Sequence, residues 1–209
     1  MPILEDAQPH QSKLYYEFSH FYDRIFKRVF YPRIAAVVQS LTIPRGARVL
    51  EVGVGTGLSL DAYPPHCQVV GVDLAPDMLE IAQEKVDQNG WRHVTLMEMD
   101  AQDLTLATDS FDYAMAFHVV SVVPEARLLM HELSRVCKPG GTIAVINHFR
   151  SRNKLFSAVD TVIEPVTSRL GWRALELADV FGCNSVEPKR VYKTSPRSLF
   201  TVVVAENRK

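Results

Sequence analysis

The residues with the clearest chemical potential lie in one stretch, Glu51-Val52-Gly53-Val54-Gly55-Thr56-Gly57. Glycines lack a Cβ, so such a loop turns sharply and lets a ligand approach the backbone within van der Waals distance. A short β-rich run, Val49–Val52, leads into it, and a second run, Val69-Val70-Gly71-Val72, ends in Asp73. An acidic side chain at that place can accept both hydroxyl protons of a ribose. Counting from Gly53, the sixth position is Leu58, so the Gly-x-Gly-x-x-Gly spacing of dinucleotide sites is not met. No Gly-Lys-Ser/Thr follows either, which excludes the phosphate loop of nucleotide triphosphatases. No helix clearly begins where a pyrophosphate would need its N–H groups. A tight turn without any ligand is the alternative reading.

Other reactive side chains are scattered. His118 and His148 have unperturbed pKa values suited to taking up a proton near neutrality, and Tyr22 is a further candidate. The seven histidines show no ligand cluster, so no metal is expected. Cys67, Cys137 and Cys183 are far apart and form no Cys-x-x-Cys. They read as small core residues in a reducing cytosol, with a catalytic thiol as the alternative.

These groups need elements to position them. Residues 12–40 read as helical: Tyr15, Phe18, Tyr22, Ile25, Phe26 and Val29 recur at steps of three and four. Pro32 kinks or restarts that helix, and Ile34 to Leu41 continue it. From residue 47, β-rich runs alternate with helical stretches. The runs are Ala47–Val52, Gln68–Asp73, Val94–Met97, Phe111–Phe117, Thr142–Asn147, Asn184–Glu187 and Leu199–Ala205. Pro76–Asn89 and Glu125–Cys137 have helical periodicity, with Pro76 in a first turn and Lys138-Pro139-Gly140-Gly141 as breakers. Such alternation implies parallel strands with crossover helices in an α/β sandwich. Some 35 residues between Asn147 and about Gly182 are longer than a simple crossover needs, and they read as an amphipathic helical insertion. With 209 residues, 47% of them apolar and 22% charged, one domain with a buried core is expected. A net charge of −1 gives no reason to expect a nucleic-acid partner. Without a signal-peptide pattern or a membrane-length apolar run, the chain reads as soluble or peripheral.

Several motifs in order resemble the class I S-adenosylmethionine (SAM)-dependent methyltransferases. They are the loop Glu51–Gly57, Asp73, Met99-Asp100-Ala101-Gln102-Asp103-Leu104, Ser110-Phe111-Asp112-Tyr113 and Leu133-Ser134-Arg135-Val136-Cys137-Lys138-Pro139-Gly140-Gly141. The resemblance implies a Rossmann-like sheet of seven mostly parallel strands, the last antiparallel, with helices on both faces and an N-terminal helical extension. It implies SAM as cofactor and S-adenosylhomocysteine as product. The implied cofactor site comprises Glu51, Gly53, Gly55, Gly57, Asp73, Leu74, Met78, Asp100, Ala101, Phe117 and His118. Asp100 has an alternative reading as a loop cap, and Leu74 as core.

Ser19–Phe26 with Pro32-Arg33, and Phe117–Pro124, look like the corresponding parts of small bacterial phosphatidylethanolamine N-methyltransferases. That resemblance implies N-methylation of phosphatidylethanolamine toward phosphatidylcholine. A C-methyltransferase of quinone precursors, another small-molecule methyltransferase, and a SAM-binding protein without turnover are the alternatives. Residues 13–33 hold five basic and two acidic side chains, a local charge of +3, beside the aromatic face. Such a helix can lie on an anionic membrane, and Arg150, Arg152 and Lys154 form a second basic group. Packing of the aromatic face on the domain is the competing reading. The expectation is a single domain with a lid or membrane-facing segment (1–45) and a substrate-side insertion (148–182), peripheral to the inner face of the cytoplasmic membrane. Tyr22, His118 and His148 are the candidate proton acceptors. Tyr15, Tyr16, Arg33, Asn147, Arg150 and Arg152 are the candidate substrate contacts, the tyrosines by cation–π contact and the arginines through a lipid phosphate.

Overall fold

The computed structural model describes Arg28 and residues 30–149, 175–182, 185–195 and 198–209. Tyr15, Tyr16, Tyr22, Arg150, Arg152 and Cys183 lie outside these residues, as does most of the expected insertion.

Seven strands form one sheet in the order β3-β2-β1-β4-β5-β7-β6. They are β1 (Arg48–Val52), β2 (Gln68–Asp73), β3 (Val94–Glu98), β4 (Phe111–Phe117), β5 (Cys137–Asn147), β6 (Val186–Tyr192) and β7 (Thr201–Asn207). The first five pair in parallel. β7 inserts between β5 and β6 and is antiparallel to both. The order turns outward in both directions from β1 and β4, so their C-terminal ends diverge into a crevice.

The helices are α1 (Tyr31–Ser40), α2 (Pro76–Asn89), α3 (Ala126–Val136) and α4 (Leu177–Phe181). α1 starts with Pro32 in its first turn, where its missing N–H costs no helical hydrogen bond. α2 has Pro76 in its first turn and ends at Gly90, whose left-handed φ of 64° lets its N–H reach the last carbonyls. In α3, Leu129, Met130, Leu133 and Val136 are fully buried, a stripe at helical spacing. Two cores result. Leu50, Ala114, Ile143 and Val203 face α3 and α4. Val49, Met115, Ala144 and Val202 face α1 and the inner side of α2.

Several boundaries differ from the sequence expectation. β5 begins at Cys137 and absorbs the expected breakers, because Cys137 pairs with Phe111 and the irregularity before Tyr113–Thr142 takes up the extra residues. β6 and β7 begin two residues later than expected and run further. The residues after Gly57 form turns and a short 3-10 helix, Leu60–Ala62, in keeping with the lack of a helix start in that part of the sequence.

Asn207 at the end of β7 is fully buried. Its Nδ2 donates to the carbonyls of Ser134 and Cys137, both at 2.8 Å, and its Oδ1 accepts from Ser134 Oγ at 2.8 Å. Asn207→Ala leaves buried polar groups unpaired and is expected to cost about 1–3 kcal/mol. Urea unfolding of the two proteins measures the difference.

Candidate functional site

The glycine loop leaves β1 at the sheet's diverging edge. Gly53, Gly55 and Gly57 have φ of 70°, 53° and 74°, values that a side chain makes costly. A Cβ on Gly53 would also lie 2.7 Å from Val119 Cβ, so the loop can approach the β4 turn only as glycine.

Two carboxylates hold this loop. Asp73 Oδ2 accepts the Gly55 N–H at 2.8 Å and Oδ1 accepts the Ala75 N–H at 3.0 Å. Each oxygen keeps a lone pair for a ligand hydroxyl. Glu51 is buried below the loop, its Oε1 accepting from Ser59 Oγ at 2.6 Å and its Oε2 from Tyr63 OH at 2.5 Å. Burial pushes its carboxyl up to about 7, against those two bonds and helped by the Asp73 charge. Burial and the Glu51 charge push the Tyr63 phenol well above its ordinary value.

A cavity of about 250 Å³ opens beside the loop. Gly53, Asp73, Leu74, Asp100, Ala101, Phe117 and His118 all line it, so most of the expected cofactor residues meet there. Met99, Gln102, Val119, Val122, Val123 and Pro124 complete the wall. Glu51, Gly55, Gly57 and Met78 stand outside that lining. Leu74 is 65% exposed, so it is a lip of the cavity and not core. Asp100 is also a loop cap: its Oδ1 accepts the Gln102 N–H at 2.8 Å, and Gln102 Oε1 accepts the Glu125 N–H at 2.7 Å. The same loop is clamped further on. Glu132 accepts the Leu104 N–H at 2.8 Å, while Arg135 donates to Glu132 and to the carbonyls of Leu104 and Leu106.

The far side of His118 is aromatic. Its ring meets Phe30 edge-on at 4.5 Å and Phe200 at 4.7 Å between centroids. The Arg33 guanidinium lies 5.5 Å from the centre of Phe200. His118 itself has φ 62°, and its buried Nε2 has no hydrogen-bond partner among the described residues. Burial, and then the Arg33 charge, pull its imidazole down to about 3, so the ring is neutral. His148 Nδ1 is 2.9 Å from the Leu199 carbonyl. A carbonyl only accepts, so Nδ1 carries the hydrogen and Nε2 is the basic nitrogen. Asn147 is 1% exposed; its carboxamide accepts from Ser121 Oγ and donates to the His148 carbonyl, joining the turns after β4 and β5.

Cys67 and Cys137 are buried, and burial raises both thiols, Cys137 to about 12, which removes the catalytic-thiol alternative for these two. A larger open depression of about 540 Å³ lies at the opposite end of the strands and carries Arg45 and the Lys138–Asp112 ion pair. It is remote from the glycine loop.

A family model for a methyltransferase domain matches residues 50–145. Over 166 residues the chain is 38% identical to a phosphatidylethanolamine N-methyltransferase of Cereibacter sphaeroides, covering 78% of this chain and 82% of that relative. This chain is a SAM-dependent methyltransferase. It is also 29% identical over 142 residues to a demethylmenaquinone methyltransferase of Anoxybacillus flavithermus, covering 64% of this chain and 60% of that protein. In fold it matches a geranyl diphosphate methyltransferase in complex with SAM, with a TM-score of 0.68 at 13% identity over 86% of each chain. The cofactor of this methyltransferase is SAM. Its cavity suits a nucleoside: a carboxylate with spare lone pairs at Asp73, a bare backbone at Gly53 and apolar walls at Leu74 and Phe117.

Asp73→Ala is expected to weaken SAM binding by roughly 10- to 150-fold, for charge-assisted hydrogen bonds worth about 1.5–3 kcal/mol. Titration calorimetry checks it, and unchanged affinity would remove Asp73 from the cofactor site. Glu51 carries a pH signature. Below its ordinary pKa of 4.5 the carboxyl is protonated in folded and unfolded chains alike. Between 4.5 and about 7 only the folded chain holds the proton, so its contribution to stability falls as pH rises through this window. Relative to Glu51→Gln, the wild-type methyltransferase should lose stability from pH 4.5 to 7 and level off above it. A parallel pair of pH–stability curves would contradict this.

Proposed function

We propose that this methyltransferase methylates the amine of phosphatidylethanolamine and of its methylated forms, toward phosphatidylcholine. The observation that carries the reading is the 38% identity to the Cereibacter sphaeroides N-methyltransferase across most of both chains. The quinone-type relative aligns over less of each chain. SAM supplies a sulfonium-bound methyl group that needs no metal to become electrophilic, so positioning and proton removal remain for the protein.

Asp73 holds the ribose, Asp100 and Ala101 border the adenine side, and Leu74 and Phe117 wall the nucleoside. The amine must shed a proton before it has a lone pair to offer. His148 is the better acceptor of that proton, because its Nδ1–H bond to Leu199 leaves Nε2 as the basic nitrogen. His118, held near pKa 3, is too weak a base and serves as a neutral polar wall beside Phe30 and Phe200. Arg33, beside that wall, offers a guanidinium for the lipid phosphate. Asn147 acts from behind by fixing the turn that carries His148. A lipid acceptor calls for work at a membrane surface, on the inner face of the cytoplasmic membrane. Among the described residues, no helix is long and apolar enough to cross a bilayer.

Incubation with SAM and vesicles containing phosphatidylethanolamine should yield its methylated forms, read by lipid mass spectrometry. Methylation of a prenylated quinone precursor with the amine lipid untouched would sink the reading. Tight SAM binding with no product from a broad acceptor panel would favour a SAM-binding protein without turnover. His148→Gln should lower kcat by about 100-fold or more while SAM affinity stays unchanged. An unaltered kcat would return the proton to another group.

A further inference from the structure

The sheet topology brings a second part of the chain to the site's edge. Thr201 at the start of β7 pairs with Asn147 at the end of β5, and Tyr192 at the end of β6 pairs with Val202. The β6–β7 connection therefore leaves the sheet on the same edge as the glycine loop and His148.

Charge is graded along this hairpin. At its far end Glu187 and Glu206 face each other, and Lys189 and Arg208 neutralise both. From residue 188 to 205 the sequence contains Lys189, Arg190, Lys193 and Arg197 and no acidic side chain. Arg190 and Lys193 are exposed and have no acidic partner among the described residues. The same segment exposes two large apolar side chains, Val191 near the end of β6 at 50% and Leu199 before β7 at 52%. Solvation alone does not call for these exposed apolar groups at the strand end and in the turn, and a polyanion in water would not cover them. An anionic lipid surface satisfies both features, attracting the cations and burying the apolar groups in its interfacial layer.

We infer that the exposed residues flanking the β6–β7 turn, Arg190, Val191, Lys193 and Leu199, form a docking surface for an anionic phospholipid bilayer, placed at the rim of the acceptor side. The inference rests on the lipid reading and extends it to a segment outside the N-terminal helix. It is continuous with the site: the Leu199 carbonyl holds His148, and Phe200 packs on His118 at 4.7 Å. Docking there sets the acceptor side at headgroup level without any spanning element.

The test uses the full chain and vesicles of phosphatidylglycerol with phosphatidylethanolamine, compared with phosphatidylcholine vesicles. Wild type should sediment with the anionic vesicles, less so as salt rises. Arg190→Glu/Lys193→Glu should lower that affinity at least tenfold and reduce transfer to vesicle-borne lipid in parallel. SAM affinity, melting temperature and transfer to a short-chain phosphatidylethanolamine in solution should stay at wild-type values. Unchanged vesicle affinity overturns the inference. If the doubly reversed variant melts early, Arg190→Gln/Lys193→Gln replaces it, and an affinity equal to wild type is again decisive against. A Leu199→Trp reporter should show a blue-shifted emission with anionic vesicles. Equal binding to heparin, with no such shift on vesicles, would point to a polyanion partner and overturn the bilayer. Wild type that docks on these vesicles yet methylates no phosphatidylethanolamine would remove the lipid acceptor and leave the docking surface standing.

Discussion

One carboxylate ties the cofactor side together. Asp73 ends β2, yet it takes an N–H from the loop after β1 and another from the turn before α2. Two separate strand ends are thereby fixed to one charged group, and the cavity lies between them. The constraint matters more because no α-helix follows the glycine loop. A helix would have held Gly53–Gly57 through its own first turn; here the buried Glu51, gripped by Ser59 and Tyr63, braces the loop from below. Asp73 acts from the ligand side and Glu51 from the core side, and they repel one another across the loop. That repulsion is held in place because the strands fix both backbones.

The cofactor half was largely legible in the sequence because its signals are local. Short β-rich strand runs, a glycine loop and an acid at the next strand's end all sit within short windows, and the strands Gln68–Asp73 and Phe111–Phe117 match to the residue. The departures came where partners are distant. Lys138-Pro139-Gly140-Gly141 contains two strong breakers, yet the pairing of Cys137 with Phe111 draws the segment into β5. Ser59 and Tyr63 carry no motif, and their bond to Glu51 depends on how the crossover folds back. Leu74 is apolar and follows a strand, which suggests core by composition, but at the sheet's edge it is a lip.

The acceptor half was less legible for the same reason. Phe30 and Phe200 meet over His118 only because β7 returns antiparallel into the sheet and α1 covers that face. Neither residue lies in a recognisable pattern. The sequence marked His118 for its pKa near neutrality, and the structure reverses the inference by surrounding it with rings and a guanidinium. His148 instead has its Nδ1 committed to the Leu199 carbonyl. Two histidines of equal promise on paper are separated by their neighbours.

The antiparallel return of β7 has a consequence for how the molecule assembles. The cavity beside the glycine loop is lined by residues between Gly53 and Pro124, whereas the aromatic wall joins Phe30 to Phe200, far apart along the chain. Contacts of such long sequence separation form late, after the loop-closure cost has been met by the rest of the sheet. On the ribosome, the residues that line the cavity beside the glycine loop emerge before β7, and the Phe30–Phe200 contact can form only once that final strand is seated.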